Sequence, residues 1–331
     1  MSTRNNRLPA ETYAAGILAG DRLLLSRAIT LSESTLPSDQ ELSQEVLQQV
    51  LPHTGKSIRI GITGVPGVGK SSFIEVFGNY ITSLPKKLAV LAIDPTSQIS
   101  GGSIMGDKTR METLSNHPLA FIRPSPAGNA LGGVATHTRQ ALILCEAAGY
   151  EVIIIETVGV GQSETAVYHM TDFFLLLMLA NAGDELQGMK RGIMEMADAL
   201  VITKADGDNL NAAQTARVTY ENALHLFPPS AKQWQPQALT CSAFTKAGIP
   251  EIWALVEKFY QHMQGKGLFD LHRQNQNLYW MHEIIKQTLE KQFYENTDVK
   301  RLLPNLQIDV QSGKITALSA ALQLLNSLQK K

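Results

Sequence analysis

The stretch Gly64-Val65-Pro66-Gly67-Val68-Gly69-Lys70-Ser71, continued by Ser72, has the spacing G-x-x-x-x-G-K-[ST]. Glycines at those positions allow a tight loop whose backbone N–H groups converge on α- and β-phosphates. The positive end of a following helix adds to that field. Lys70 can reach β- and γ-phosphates, and the Ser71 hydroxyl is a hard ligand for Mg²⁺. The chemistry open to such a set is phosphoryl transfer from a nucleoside triphosphate, with Lys70 as a catalytic cation.

A bound Mg²⁺ needs further hard oxygens, or carboxylates that hold its waters. Glu156 closes the apolar run Val152 to Ile155, and Glu156-Thr157-Val158-Gly159 has the shape of D-x-x-G with glutamate in first place. Asp94 ends the run Leu88 to Ile93, at the carboxyl edge where open α/β sheets bind ligands. Asp107 lies in the glycine-rich segment from Gly101 to Arg110, suited to closing over phosphates. The alternative for each carboxylate is a helix cap or a solvated loop end.

Thr203-Lys204-Ala205-Asp206 follows the run Ala199 to Ile202, where guanine-binding proteins carry N-K-x-D. The Asp206 carboxylate can accept from guanine N1–H and the exocyclic amine while the Lys204 stem lies over the purine face. Adenine has no such donor pair. Charge-assisted hydrogen bonds contribute about 1.5–3 kcal/mol each, so two of them select GTP by about two to four orders of magnitude if additive. Thr203 is shorter than the asparagine of the pattern, which leaves the contact made from that position open. Ser242-Ala243, after the run Ala238 to Cys241, fits the element in which a backbone N–H meets guanine O6.

These groups must be carried on strand ends. Seven apolar runs provide them: Ile58 to Thr63, Leu88 to Ile93, Ala120 to Ile122, Val152 to Ile155, Phe173 to Leu179, Ala199 to Ile202 and Ala238 to Cys241. Several lack alternation, as strands buried on both faces do, and the spacers can hold crossover helices. The expected fold is α/β, a doubly wound, mostly parallel seven-stranded sheet. A helix is expected from Ser72 to Ile81. Helical periodicity predicts two N-terminal helices split near Pro37, and C-terminal helices over Leu271 to Asn296 and Ile315 to Leu328. The domains read as an N-terminal helical segment 1–56, a nucleotide domain 57–264 and a helical extension 265–331 that could join two copies of the chain.

Composition narrows the partners. The chain has 331 residues and a net charge of −1, so no global field draws it to nucleic acid or anionic lipid. The longest apolar run, Phe173 to Ala180, is eight residues, against the roughly 20 that span a membrane. Two cysteines and a polar N-terminus point to the cytoplasm. His117, His137 and His169 are scattered and lack the spacing of a metal carrier. Met170, Met178, Met189, Met194 and Met196 read as gap-fillers, and Cys145 as a small buried hydrophobe. Tyr279 and Trp280 are placed to anchor a dimer interface or to complete a local core.

Together with Asp94-Pro95-Thr96-Ser97, the segment from Glu156 to Glu164, the segment from Gly183 to Lys190, and Lys204 to Asp208, the phosphate loop resembles the methylmalonyl-CoA mutase-associated GTPases of the MeaB/ArgK type, in the signal-recognition-particle-like branch of P-loop proteins. The resemblance spans nearly the whole chain. It implies a homodimer that binds an adenosylcobalamin-dependent methylmalonyl-CoA mutase, gates cofactor loading and protects the enzyme. It also implies glutamate as the usual residue at position 156, a magnesium role for Asp107, and a mobile reporter loop over Gly183 to Gly192. In Ras-like proteins a glutamine after the D-x-x-G glycine orients the attacking water; here Val160 stands there, so intrinsic hydrolysis of GTP to GDP should be slow. The partner would accelerate it by bringing Gln162 or Lys190 toward the γ-phosphate. Two other readings stand beside this one: a kinase using the same loop, as an older label for basic amino-acid transport has it, and a nucleotide-independent scaffold.

Overall fold

The structure, a computed structural model, describes residues 7–92, 111–124, 131–157, 163–180, 191–228 and 230–328. Seven strands form one sheet: β1 (Ile58–Gly64), β2 (Leu88–Ala92), β3 (Ala120–Pro124), β4 (Val152–Glu156), β5 (Phe173–Met178), β6 (Ala199–Ile202) and β7 (Gln237–Thr240). Their order is β3-β2-β4-β1-β5-β6-β7, and all six pairings are parallel. Because every strand runs the same way, every carboxyl end lies on one edge. Register places Glu156 opposite both Ile62 and Ala92, so the end of β4 sits between those of β1 and β2.

The unbroken apolar character of β4 and β5 is explained by cover on both faces. Ile60, Ile62, Val90, Ile154, Phe173 and Leu175 pack with Phe73, Phe77 and Ile81 of the helix Lys70–Ser83 and with Ile252, Val256 and Phe259 of the helix Ile249–Gly265. On the other face Leu176, Met178, Leu200 and Ile202 meet the helix Leu210–Leu224 through Ala213, Ala216 and Tyr220.

The N-terminal segment is three helices, where periodicity predicts two: α1 (Ala10–Leu18), α2 (Arg22–Ser32) and α3 (Pro37–Val50). The extra break falls at Gly20, in the left-handed region at φ 78°, followed by Asp21, whose side chain accepts from the amides of Leu23 and Leu24 to open α2. Proline at N1 starts α3. The helix after the phosphate loop starts at Lys70, two residues before the expected Ser72.

At the amino-terminal edge of the sheet, away from the strand ends that carry the motifs, charges are buried in pairs. Arg59 donates to Glu146 at 2.7 and 3.0 Å, Arg273 donates to Asp172 at 2.8 and 3.0 Å, and Lys232 donates to Asp198 at 2.5 Å. Residues 1–276 and 277–331 form two compact units. The second holds a small core of Val299, Leu306, Ala320 and Leu324. It contains the helix Thr297–Gln311, which apolar periodicity did not reveal; Asn296 caps it by accepting from the amides of Asp298 and Val299. Pro304 inside that helix removes one backbone donor.

Candidate active site

The loop from Gly64 to Gly69 joins the central strand to its helix, and two of its glycines are required by geometry. At Gly64 a Cβ would lie 2.5 Å from the Leu177 carbonyl oxygen, so the approach of β5 excludes any side chain. Gly69 enters the helix at φ 91°, a left-handed conformation that L-residues adopt at a cost. A Cβ there would meet nothing within 4 Å, as at Gly67, so one side of the loop is open. Lys70 Nζ donates to the carbonyls of Gly64 at 2.9 Å and Val65 at 3.4 Å, which holds the ammonium over its own loop. Burial lowers the Lys70 pKa from its ordinary value, while Glu156 and Glu164 act to raise it. A polyanion placed beside it would favour the charged form further.

Ser71 and Glu156 come together from sequence positions far apart. Ser71 Oγ donates to Glu156 Oε1 at 3.2 Å, and Glu156 is buried at the end of β4. Behind them Thr157 Oγ1 donates to Thr63 Oγ1 at 2.7 Å, and Thr157 N donates to Ile62 O at 3.0 Å, fixing the two strand ends to each other. Two hard oxygens side by side at the mouth of a phosphate loop suit Mg²⁺ better than a softer ion. Asp94, Asp107, Gln162 and Lys190 lie outside the described residues, as do Val160 and the segments from Gly101 to Arg110 and from Gly183 to Lys190.

A cavity of about 510 Å³ opens beside the loop, lined by Val68, Gly69 and Ser72 of the loop and its helix together with Lys204, Asp206 and Ala243. Thr203 closes the question that its short side chain raised. Its Oγ1 donates to the Val68 carbonyl at 2.8 Å, and its amide donates to Met178 O at 2.8 Å, so threonine reaches the phosphate loop from β6. Lys204 sits at φ 57°, uncommon for a non-glycine residue, with its Nζ donating to Gly67 O at 3.0 Å. Asn209 supports that conformation by donating its side-chain amide to Lys204 O at 2.7 Å. Ser242 Oγ donates to an Asp206 carboxylate oxygen and accepts from the amides of Phe244 at 3.2 Å and Thr245 at 3.0 Å. One serine thus ties the acidic residue to the loop after β7.

Two supporting residues escaped the sequence reading. Asn209 lies in the turn that follows Asp206 and is detectable as asparagine turn chemistry. Glu75 lines the cavity and accepts from Thr113 N at 3.0 Å and Leu114 N at 3.3 Å, capping the short helix Glu112–Ser115 from 38 residues away, a separation that no local pattern reveals. Cys145 is fully buried, its thiol pushed up by burial, and Trp280 is buried edge-on to Tyr279.

The chain is similar to several known proteins. Over 93% of its length the chain is 48% identical to a protein of Caulobacter vibrioides named as a GTPase, covering 94% of it. It is 43% identical to GTPase ArgK of Escherichia coli, covering 94% of each chain. It is 42% identical to the mitochondrial methylmalonic aciduria type A homolog of Mus musculus, covering all of this chain and 82% of that one. The crystal structure of a LAO/AO transport system kinase superposes with a TM-score of 0.78 at 36% identity, covering 97% of this chain and 98% of that one. Residues 25–298, which hold the phosphate loop, Glu156, Asp206 and the cavity, match the family model described as methylmalonyl Co-A mutase-associated GTPase MeaB, and the chain belongs to that family of GTPases.

Proposed function

We propose that the chain is a GTP-hydrolysing chaperone of an adenosylcobalamin-dependent methylmalonyl-CoA mutase, gating cofactor loading and protecting the enzyme. The family name supports the partner, and the geometry supports the nucleotide chemistry. The observation that carries it is the meeting, at one sheet edge, of a Lys70/Ser71–Glu156 phosphate end and an Asp206–Ser242 base end around one cavity. On this reading Asp206 would accept from guanine, the Lys204 stem would cover a purine face, and the amide of Ala243, another lining residue, would meet O6. Ser71 and Glu156 would hold Mg²⁺, as would Asp94 and Asp107, which lie outside the described residues. When bound, the ion neutralises charge on the β- and γ-phosphates.

Hydrolysis is attack of water on the γ-phosphorus in line with the bridging oxygen. The bond from that phosphorus to the β–γ oxygen breaks, giving GDP and inorganic phosphate. Lys70 and the loop amides stabilise charge that develops on the oxygens. With valine at position 160 the intrinsic rate is slow, and the mutase accelerates it through Gln162 or Lys190. The helical extension 265–331 joins two copies of the chain. Purified protein with Mg²⁺ should release phosphate from GTP slowly alone and faster with the mutase, and should copurify with it more strongly on a nonhydrolysable GTP analogue. Equal rates with and without the partner would remove the chaperone reading. Because a structural neighbour is named a transport system kinase, a kinase reading stays in view, and phosphate transferred to an acceptor, with none released to water, would favour it.

A further inference from the structure

Phe244 is the most exposed large apolar side chain of the described residues, at 89%, and it lines the same cavity as Lys204 and Asp206. A phenyl ring held in water loses the transfer free energy that burial would return, unless something covers it. Its backbone is not free to swing the ring away. Ser242 Oγ accepts its amide and the next one, Ser242 N donates to Ala247 O at 3.0 Å, and Ser242 Oγ also donates to Asp206. The loop tip is therefore referenced to the carboxylate that reads the base. The Lys204 stem, which lines the same cavity, is fixed by the bond from its Nζ to Gly67 O. A flat π-system is the chemical form that can meet a phenyl face while its edge stays on Asp206.

We infer that Phe244 is a base-contacting residue whose ring stacks on the purine of the bound nucleotide. The inference rests on the guanine reading proposed above and adds to it the group that covers the base. Base–aromatic stacking is indifferent to exocyclic groups, because every base has a π-face, so the contribution of Phe244 is to affinity for purines in general. Asp206 then supplies discrimination among them.

The test is calorimetric titration of the full chain with Mg²⁺ and GDP or inosine diphosphate, using wild type and Phe244→Ala, Phe244→Leu and Phe244→Trp. Phe244→Ala should weaken both nucleotides about ten-fold and to the same degree. Phe244→Leu should recover less than half of that loss on a logarithmic scale, since it restores apolar area without a π-face. Phe244→Trp should bind GDP as well as wild type, with indole emission that changes at saturation. Thermal midpoints should be unaltered, because the side chain is exposed in the free protein. GDP affinity of Phe244→Ala within two-fold of wild type, or of Phe244→Leu equal to wild type, overturns the inference while leaving the guanine site standing. Failure of the wild type to take up GDP overturns both.

Discussion

Replacing one oxygen of Asp206 by an amide nitrogen changes what the cavity can read. On the proposed guanine reading the carboxylate would accept from two donors, whereas Asp206→Asn presents a donor where xanthine offers an oxygen. The substitution should lower GTP affinity by about two to four orders of magnitude and turn preference toward xanthosine triphosphate. Competition binding with both nucleotides measures it, and unchanged GTP affinity would count against the base assignment. Thr203 invites a milder test. Thr203→Val keeps the shape but removes the donor to the Val68 carbonyl, leaving that oxygen short of a partner at a cost of about 1–3 kcal/mol. Urea unfolding should register this, and GDP should bind more weakly because the phosphate loop loses its tie to β6.

Among elements, the sheet edge opposite the motifs contributes to how the molecule responds to acid. Burial holds the His272 imidazole down to about 4, with Lys232 acting in the same direction, against an ordinary value of 6.5. The unfolded chain takes up a proton near pH 6.5 that the folded chain refuses until about pH 4, so stability is complete above 6.5 and falls as pH drops through that window. The loss across it is about 3 kcal/mol. Glu33, raised by burial, contributes the opposite slope, so the comparison of wild type with His272→Gln isolates the histidine. Denaturant midpoints of the variant should fall less steeply between pH 6.5 and pH 4; identical profiles would refute the assignment. Arg273→Ala, which strips Asp172 and Glu146 of a buried partner, should cost about 3–5 kcal/mol at neutral pH. This network also marks the limit of what was legible in the sequence. The seven strands could be read because parallel strands buried on both faces are near-continuous apolar runs, and the phosphate loop and Asp206 because close backbone approach and base pairing demand particular residue types at fixed spacing. Arg59, Glu146, Asp172 and Arg273 carry no such mark. Their partners are 87 to 127 residues apart, and a charged residue reads as surface until the fold pairs it. The helix Thr297–Gln311 was illegible for a different reason: Pro304 and a charged first turn mask a pattern that only its packed face reveals.

For the whole molecule, the unit from 277 to 331 raises a stability question that a second copy would answer. Among its described residues five hydrophobic side chains are buried, four of them in one cluster, which is little for about 55 residues when small domains are already marginal. Meanwhile Leu278, Met281, Ile285 and Leu289 recur at three- and four-residue steps along one helix and are all exposed, between 46% and 60%. A stripe with that spacing is the seam along which helices pair. Wild-type protein should therefore sediment at twice its 36.2 kDa chain mass. Ile285→Glu combined with Leu289→Glu places two charges in the seam and should yield a monomer, while GDP uptake at the sheet edge persists because neither residue belongs to the cavity. Retention of the dimer in the double variant would move the interface elsewhere. A monomeric wild type at the highest soluble concentration would overturn the assignment of the stripe to a second copy.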